Sequence, residues 1–261
     1  MTLKNHLIAA GLTFATHSAT LAQTAETKET PKAEAKAEAT WTPIFNGKDL
    51  DGWTPKFKGS ELGVNLNDTF IVKDGLLTVD YSKWEAFKGE FGHLFYKTPY
   101  SNYNIRGTYR FIGEQVKGGP KWALRNNGFM LHCQDPKTMK LGQNFPNSIE
   151  VQLLGGLGEE DRPNLNICTP GTQIHWQGKL TKEHVVRPQG PTFHGDQWVT
   201  VEVQVRGDKF THIAEGKVVC EYDNIQLDDG TPVKKGYISI QAETAPIQFK
   251  SIEIQVLPDE E

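Results

Sequence analysis

The residues of this chain that could do chemistry sit on short alternating segments. In Ile149-Glu150-Val151-Gln152-Leu153 the apolar residues take one face of an extended strand, so Glu150 and Gln152 share the other. Phe129, Leu131 and Cys133 form a similar apolar row that turns Met130, His132 and Gln134 the opposite way. In Ile238-Ser239-Ile240-Gln241-Ala242 the same alternation sets Ser239 and Gln241 opposite the isoleucines. If these strands share a sheet, the Glu150 carboxylate and the His132 imidazole could exchange protons with a substrate. The amides of Gln134, Gln152 and Gln241 would then hold hydroxyls. The same ladders could equally be a solvated outer sheet face. His93 and His175 lie in loops or at strand ends and could complete a divalent metal site with His132 or Glu150, although no ligand-spacing motif marks one.

These side chains need strands to position them, and strand signals dominate the chain. Val199, Val201, Val203 and Val205 alternate with Thr200, Glu202, Gln204 and Arg206, which is the pattern of a half-buried strand. Trp198, at the start of that strand, is assigned to the core. Turns at Gly207-Asp208 and Glu215-Gly216-Lys217 continue the chain into 209–214 and 218–222 as an antiparallel meander. Arg206-Gly207-Asp208 is therefore a hairpin turn rather than a recognition triplet. Further strands are expected at 70–79, bent at Asp74-Gly75, and at 103–111, 129–134, 149–154, 237–242 and 247–256. No amphipathic helix of useful length is evident. Many short strands punctuated by Gly, Pro and Asp predict an all-β fold, a two-sheet antiparallel jelly-roll sandwich. Residues 112–127 and 155–195 are expected to be long loops that carry specificity.

Composition narrows the function. The 261 residues carry 28 Lys plus Arg against 32 Asp plus Glu, a net charge of −4, which argues against nucleic acid as a partner. Cys133, Cys168 and Cys220 are too few for a disulfide scaffold, allow at most one bridge and form no CxxC pair. Residues 1–22 read as a secretory signal peptide, with Lys4, an apolar Leu7 to Ala15 and small residues ending at Ala22. That apolar stretch is too short to span a bilayer, so a periplasmic or secreted protein with no transmembrane segment is expected. Residues 23–40 form a low-complexity Ala/Glu/Lys/Thr linker that cannot offset its own ordering entropy, which leaves 41–261 as a single domain. Trp53, Trp84, Trp122 and Trp176 are candidate sugar-stacking surfaces, a role for which core packing competes at each. Gly155-Gly156-Leu157-Gly158 lacks the Lys-Ser/Thr of a phosphate loop, no GxSxG elbow exists, and Asp228-Asp229-Gly230 lacks the spaced oxygens of an EF-hand.

The run WTPIFNGKDLDGW at Trp41 to Trp53 resembles the opening signature of the bacterial 3-keto-disaccharide hydrolase domain family. Asn126 to His132 is similar to that family's Asn-Ser-Gly strand start, and Ile149 to Leu153 to its aromatic-Glu-x-Gln-Ile strand. Gln197-Trp198, the 215–217 turn, Gly236 to Gln241 and Phe249 to Ile254 follow in the family's order. The chain differs in having His132 where the family often has Arg, Asn127 for Ser and Gly155 for Asp. The resemblance implies a concanavalin-like jelly roll whose concave sheet binds carbohydrate, and cleavage of glycosides already oxidised at C3. It places Glu150, Gln152 and Gln241 on motif positions, with Asn126 beside them.

A C3 carbonyl acidifies the C2 proton, so the C1 aglycone could leave by β-elimination with one base and one group stabilising the enolate. On this reading Glu150 or His132 is the base, the other assists, and water addition completes a net hydrolysis. Gln152, Gln241, Asn126, Gln134, His175 and the tryptophans bind substrate, a glycoside or oligosaccharide. A separate sugar 3-oxidoreductase is the implied partner. The alternative is a carbohydrate-binding module without catalysis.

Overall fold

The computed structural model describes residues 40–258; the expected signal peptide and all but the last residue of the expected linker lie outside the described residues. Seventeen strands are present among the described residues: β1 (Thr42–Pro43), β2 (Trp53–Phe57), β3 (Phe70–Lys73), β4 (Leu76–Val79), β5 (Gly92–Tyr96), β6 (Asn102–Phe111), β7 (Asn126–Cys133), β8 (Ile149–Leu154), β9 (Asn166–Cys168), β10 (Thr172–Trp176), β11 (Lys179–Thr181), β12 (Val185–Val186), β13 (Val199–Arg206), β14 (Lys209–Ala214), β15 (Lys217–Leu227), β16 (Tyr237–Ala242) and β17 (Ile247–Val256). One sheet has ten strands in the order β11-β10-β15-β14-β13-β6-β17-β4-β3, with β1 also paired to β17. The other has seven, in the order β12-β9-β8-β7-β16-β5-β2. All the strand pairings within the two sheets are antiparallel. This is the jelly-roll sandwich expected from the strand pattern.

The core lies between the sheets. Val199, Val201, Val203 and Val205 of β13 all point into it, as their alternation requires. Ile149, Val151 and Leu153 of β8 meet it from the seven-stranded side. The Asp74-Gly75 hairpin has positive φ at both residues (52° and 77°), the twist that a two-residue loop between β3 and β4 needs. Trp198 departs from expectation: its indole lies on the outer face of the ten-stranded sheet, with the Arg110 guanidinium 4.6 Å from the ring centroid. The segment 155–195 is also not one long loop, since β9 to β12 lie within it. Their short apolar runs are interrupted by Gly and Pro, which masked the alternation. All three cysteines are free and buried.

The register shifts in several pairings, and the shift between β16 and β7 matters for the site. In the pairing of β16 with β7, Tyr237 opposes Cys133 but Ser239 opposes Met130. Two steps along β16 thus match three along β7, which is a β-bulge. His132 carries the bulge with φ +51°. A Cβ added at Gly236 would lie 2.5 Å from His132 Cα, so the bulge needs glycine opposite it. The extra residue reverses the alternation, so Cys133 joins Met130 and Phe95 in a small cluster on the outer side of the sheet. His132 turns inward instead, edge-on to Phe210 at 5.0 Å and 6.1 Å from Tyr103, both from the opposite sheet.

Candidate active site

The outer face of the seven-stranded sheet is lined by residues in transverse rows. One row runs Lys56, His93 and Gln241 across β2, β5 and β16, and Gln152 pairs with Asn166 across β8 and β9. The next row brings Glu150 beside Met130 on one side and Cys168 on the other. Above this floor opens a cavity of about 730 Å³, with Glu150, Gln152, Asn126, Asn166 and Glu243 among its walls and Trp122 at its rim.

Gly128 lets the floor close up. A Cβ there would sit 2.7 Å from Glu150 Cγ and 3.0 Å from Gln241 Oε1, so a bare backbone is what allows the acid and the amide to converge. The preceding Asn127 fixes this point by donating to the Gln241 carbonyl at 2.8 Å and accepting from the Gly128 N–H at 2.9 Å. Gln152 accepts from Asn166 Nδ2 at 2.9 Å.

The electrostatics are those of a dry acidic site. Burial pushes Glu150 up to about 7, partly offset by the Cys168 thiol and the Gln241 amide beside it. Glu243, just beyond β16, is pushed well above the usual carboxylate range by burial and by the charge of Glu150. The two titrate as a pair and together retain a proton near neutrality. Burial and the charge of Glu150 also raise the Cys168 thiol well above its ordinary value, with Arg187 pulling the other way. Glu150 Oε1, Glu243 Oε2, Asn126 Oδ1 and Asn166 Oδ1 are buried and accept no hydrogen bond from the described residues. Gln241 Oε1 and Nε2 on the same floor are also unpaired, so the site presents mostly acceptors, and buried acceptors call for donors.

Several residues singled out from the sequence fall elsewhere. His132 is packed between the sheets by the bulge, and burial pushes its imidazole down to about 4 against the pull of the Val233 and Ser101 backbone. It does not reach Glu150's cavity. His175 stands on β10 in the other sheet, opposite Leu180 and Asp223. His93 lies in the floor row but is covered by Phe145, 5.7 Å away between ring centroids, and burial together with the neighbouring Lys56 charge pushes it down to about 3. His93, His132 and His175 therefore do not converge, and among the described residues no group of three or more His, Cys, Asp or Glu side chains could hold a metal ion.

Trp53 is buried, donating Nε1–H to the Ile44 carbonyl at 2.8 Å. Trp84 is buried too and donates to Thr69 Oγ1 at 2.9 Å. Of the proposed stacking residues Trp122 alone lines the cavity, 56% exposed and stacked on Phe91 at 6.0 Å. Trp176 packs half-buried against the core. Gln134 lines a neighbouring groove, where its amide is taken up by Thr138, Gln143 and the Asn147 N–H.

Glu243 was missed. It sits one residue past an apolar strand, in Gln241-Ala242-Glu243-Thr244, where alternation with Gln241 was the available signal.

A family model for the 3-keto-alpha-glucoside-1,2-lyase-like domain matches residues 40–255. No curated protein matches the chain. Among solved structures, one from Parabacteroides distasonis, described as an inferred glycosyl hydrolase, shares 19% identity over 87% of this chain and 98% of its own, with a TM-score of 0.51. A Bacillus subtilis protein of unknown function with a galectin-like fold shares 11% identity over 83% of this chain and 94% of its own, with a TM-score of 0.54. The exoplasmic domain of VIP36, bound to calcium and a Man3GlcNAc glycan, shares 12% identity over 84% of this chain and 89% of its own, at a TM-score of 0.50. At these identities the neighbours speak for the sandwich fold alone. The family match covers nearly the whole described domain, and the chain belongs to the family of 3-keto-alpha-glucoside-1,2-lyase-like domains.

Proposed function

We propose that this protein is an exported enzyme that cleaves glycosides oxidised at C3 of the sugar ring, with Glu150 and Glu243 as its acid and base. The observation that carries this is the pair of buried, coupled carboxyls facing one cavity beside acceptors with no protein donor. Hydroxyls of a sugar ring supply the donors those acceptors lack. Glu150, poised near neutrality, takes the C2 proton made acidic by the C3 carbonyl. The C2–H electron pair becomes the C1=C2 double bond, the C1–O bond breaks, and the proton held at Glu243 passes to the departing oxygen. The products are a conjugated enone and the free aglycone, and addition of water to the enone makes the change a net hydrolysis. Arg187, exposed and lining the cavity near Cys168, supplies cationic charge for the enolate.

The C3 carbonyl must be installed beforehand, so a separate sugar 3-oxidoreductase supplies the substrate. Export rests on residues 1–22, and N-terminal sequencing of the mature protein is expected to begin after Ala22. No helix of the described residues is long and apolar enough to cross a membrane.

Glu243 also favours a second reading. Two carboxyls facing one cavity are the equipment of an ordinary glycosidase, which acts on unoxidised glycosides. A binding module without catalysis would use the same acceptors and turn over nothing. Release of a chromogenic aglycone from a 3-keto-glucoside and from its unoxidised parent separates the three. Release from the keto substrate alone supports the proposal, release from the parent supports the glycosidase, and saturable sugar binding with no release supports the module.

A further inference from the structure

A second cavity, also of about 730 Å³, adjoins the first and shares Phe145 and Pro170 with it as a common wall. Apart from Gly171, its remaining lining comes from the loop between β7 and β8, including Gln134, Lys140, Gln143 and Asn144. The two cavities differ in kind. The first holds the buried carboxyls, whereas the second is walled by amides and one Lys, with no carboxylate. It can bind a neutral polyol and has no group to do proton chemistry on it.

We infer that this groove is the subsite for the sugar on the leaving-group side of the scissile bond, so that the substrate is an oligosaccharide crossing the Phe145 wall. The inference rests on the sugar-cleaving reading above and adds to it which substrates the enzyme prefers.

The groove is built before anything binds. Gln134 donates to Thr138 Oγ1 at 3.0 Å and accepts from Gln143 Nε2 and the Asn147 N–H, each at 2.8 Å. Gln143 in turn accepts from the Lys140 N–H at 3.1 Å and donates to the Phe145 carbonyl at 2.8 Å. These bonds satisfy the two glutamines with protein partners and hold the loop, so a ligand does not bear the cost of ordering it. Phe145 itself is held against Phe91, at 4.9 Å between ring centroids, and against His93 at 5.7 Å. It offers the apolar surface over which a sugar ring can lie. The side chains of Lys140 and Asn144 form no hydrogen bond with the described residues and line the groove, which leaves them to address hydroxyls.

Gly142 provides a steric test. It lines the groove, its φ is not positive, and an added Cβ meets nothing within 4 Å, so Gly142→Trp fills the groove without straining the backbone. The measurement is calorimetric titration of the full mature chain with neutral α-1,4- and β-1,4-gluco-oligosaccharides of increasing length, alongside turnover of an aryl 3-keto-glucoside. In the wild type, affinity for one linkage series is expected to rise about tenfold or more from monosaccharide to trisaccharide. Gly142→Trp and Asn144→Ala should remove that gain while leaving monosaccharide affinity within about twofold of wild type.

Affinity independent of length in both series, or no binding at all, overturns the subsite. So does an equal loss of monosaccharide and trisaccharide affinity in the variants. Absence of aryl turnover with a length-dependent affinity that Gly142→Trp abolishes would sink the proposed reaction and leave the subsite standing.

Discussion

Glu243 faces Glu150 across one cavity floor, and neither carboxyl has an ion-pair partner among the described residues. Buried together, they keep a proton that separate surface carboxyls would lose. If this pair is the acid and base, Glu150→Gln and Glu243→Gln should each lower kcat on a 3-keto-glucoside by about 10²–10⁴-fold. Sugar affinity should stay close to that of the wild type. Loss of binding in step with turnover would show that the carboxyls hold substrate rather than move protons.

The same pair makes stability depend on pH in the sense opposite to an ion-paired carboxylate. The folded-state value of Glu150 is raised to about 7 from 4.5, so its proton stays on in the folded chain while the unfolded chain releases it. Its contribution is fully present below about 4.5 and is lost as pH rises through 7, at a cost on the order of 3 kcal/mol. Glu150→Gln removes that penalty. Its Tm should match the wild type near pH 4 and exceed it by several degrees at pH 8. Buried histidines act on the other limb: His93 is held at about 3, and His132 and His212 at about 4, by burial. Their contribution is present above about 6.5 and lost as pH falls towards those values. A Tm difference independent of pH would refute the assignment for Glu150.

The sandwich was readable because period-two alternation survives wherever a strand has one wet and one dry side, as in β13, and the meander through β15 followed from its turns. Glu150, Gln152 and Gln241 were readable for the same reason. Alternation assumes an unbroken ladder, however, and one extra residue at His132 sends every later side chain on β7 to the other face. Sequence carries no clear mark of that bulge beyond Gly236, which lies far along the chain. Indoles offered no discrimination either: Trp53, Trp84 and Trp122 differ in what surrounds them, and that is fixed by distant segments. Glu243 escaped because it lies past the end of its strand, where the alternation was not followed.

Gly128→Ala tests how closely the floor is fitted. The new methyl would lie 2.7 Å from Glu150 Cγ, with the carboxyl and Gln241 next to it, so the acid must swing away. Gly128 has no positive φ, and backbone strain adds nothing. We expect a fall in kcat/KM of about 10²-fold from the displaced acid. The accompanying stability loss should be about 1–3 kcal/mol from overpacking. Unchanged kcat would mean that Glu150 tolerates displacement and is not the base.

For His132 the expectation runs the other way. It packs between the sheets against Phe210 and Tyr103, away from the carboxyl pair. His132→Asn keeps a residue that tolerates left-handed backbone but removes the ring. Stability should drop by about 1–3 kcal/mol, with kcat within about twofold of wild type. A large loss of kcat in a variant that remains folded would return His132 to the chemistry.

Trp122 is the last element of the site that can be separated from folding. Its indole is 56% exposed at the cavity rim and contacts Phe91 through one face, so truncation removes little buried area. An exposed flat ring beside a polyol cavity acts by stacking on the bound sugar, in the ground state and the transition state alike. Trp122→Ala should therefore raise KM by about tenfold with kcat unchanged, and leave Tm within a degree or so of the wild type. If kcat falls while KM holds, the ring is orienting the reacting bond rather than holding the sugar, and the scissile linkage must lie under Trp122 instead of over the Glu150 and Glu243 carboxyls.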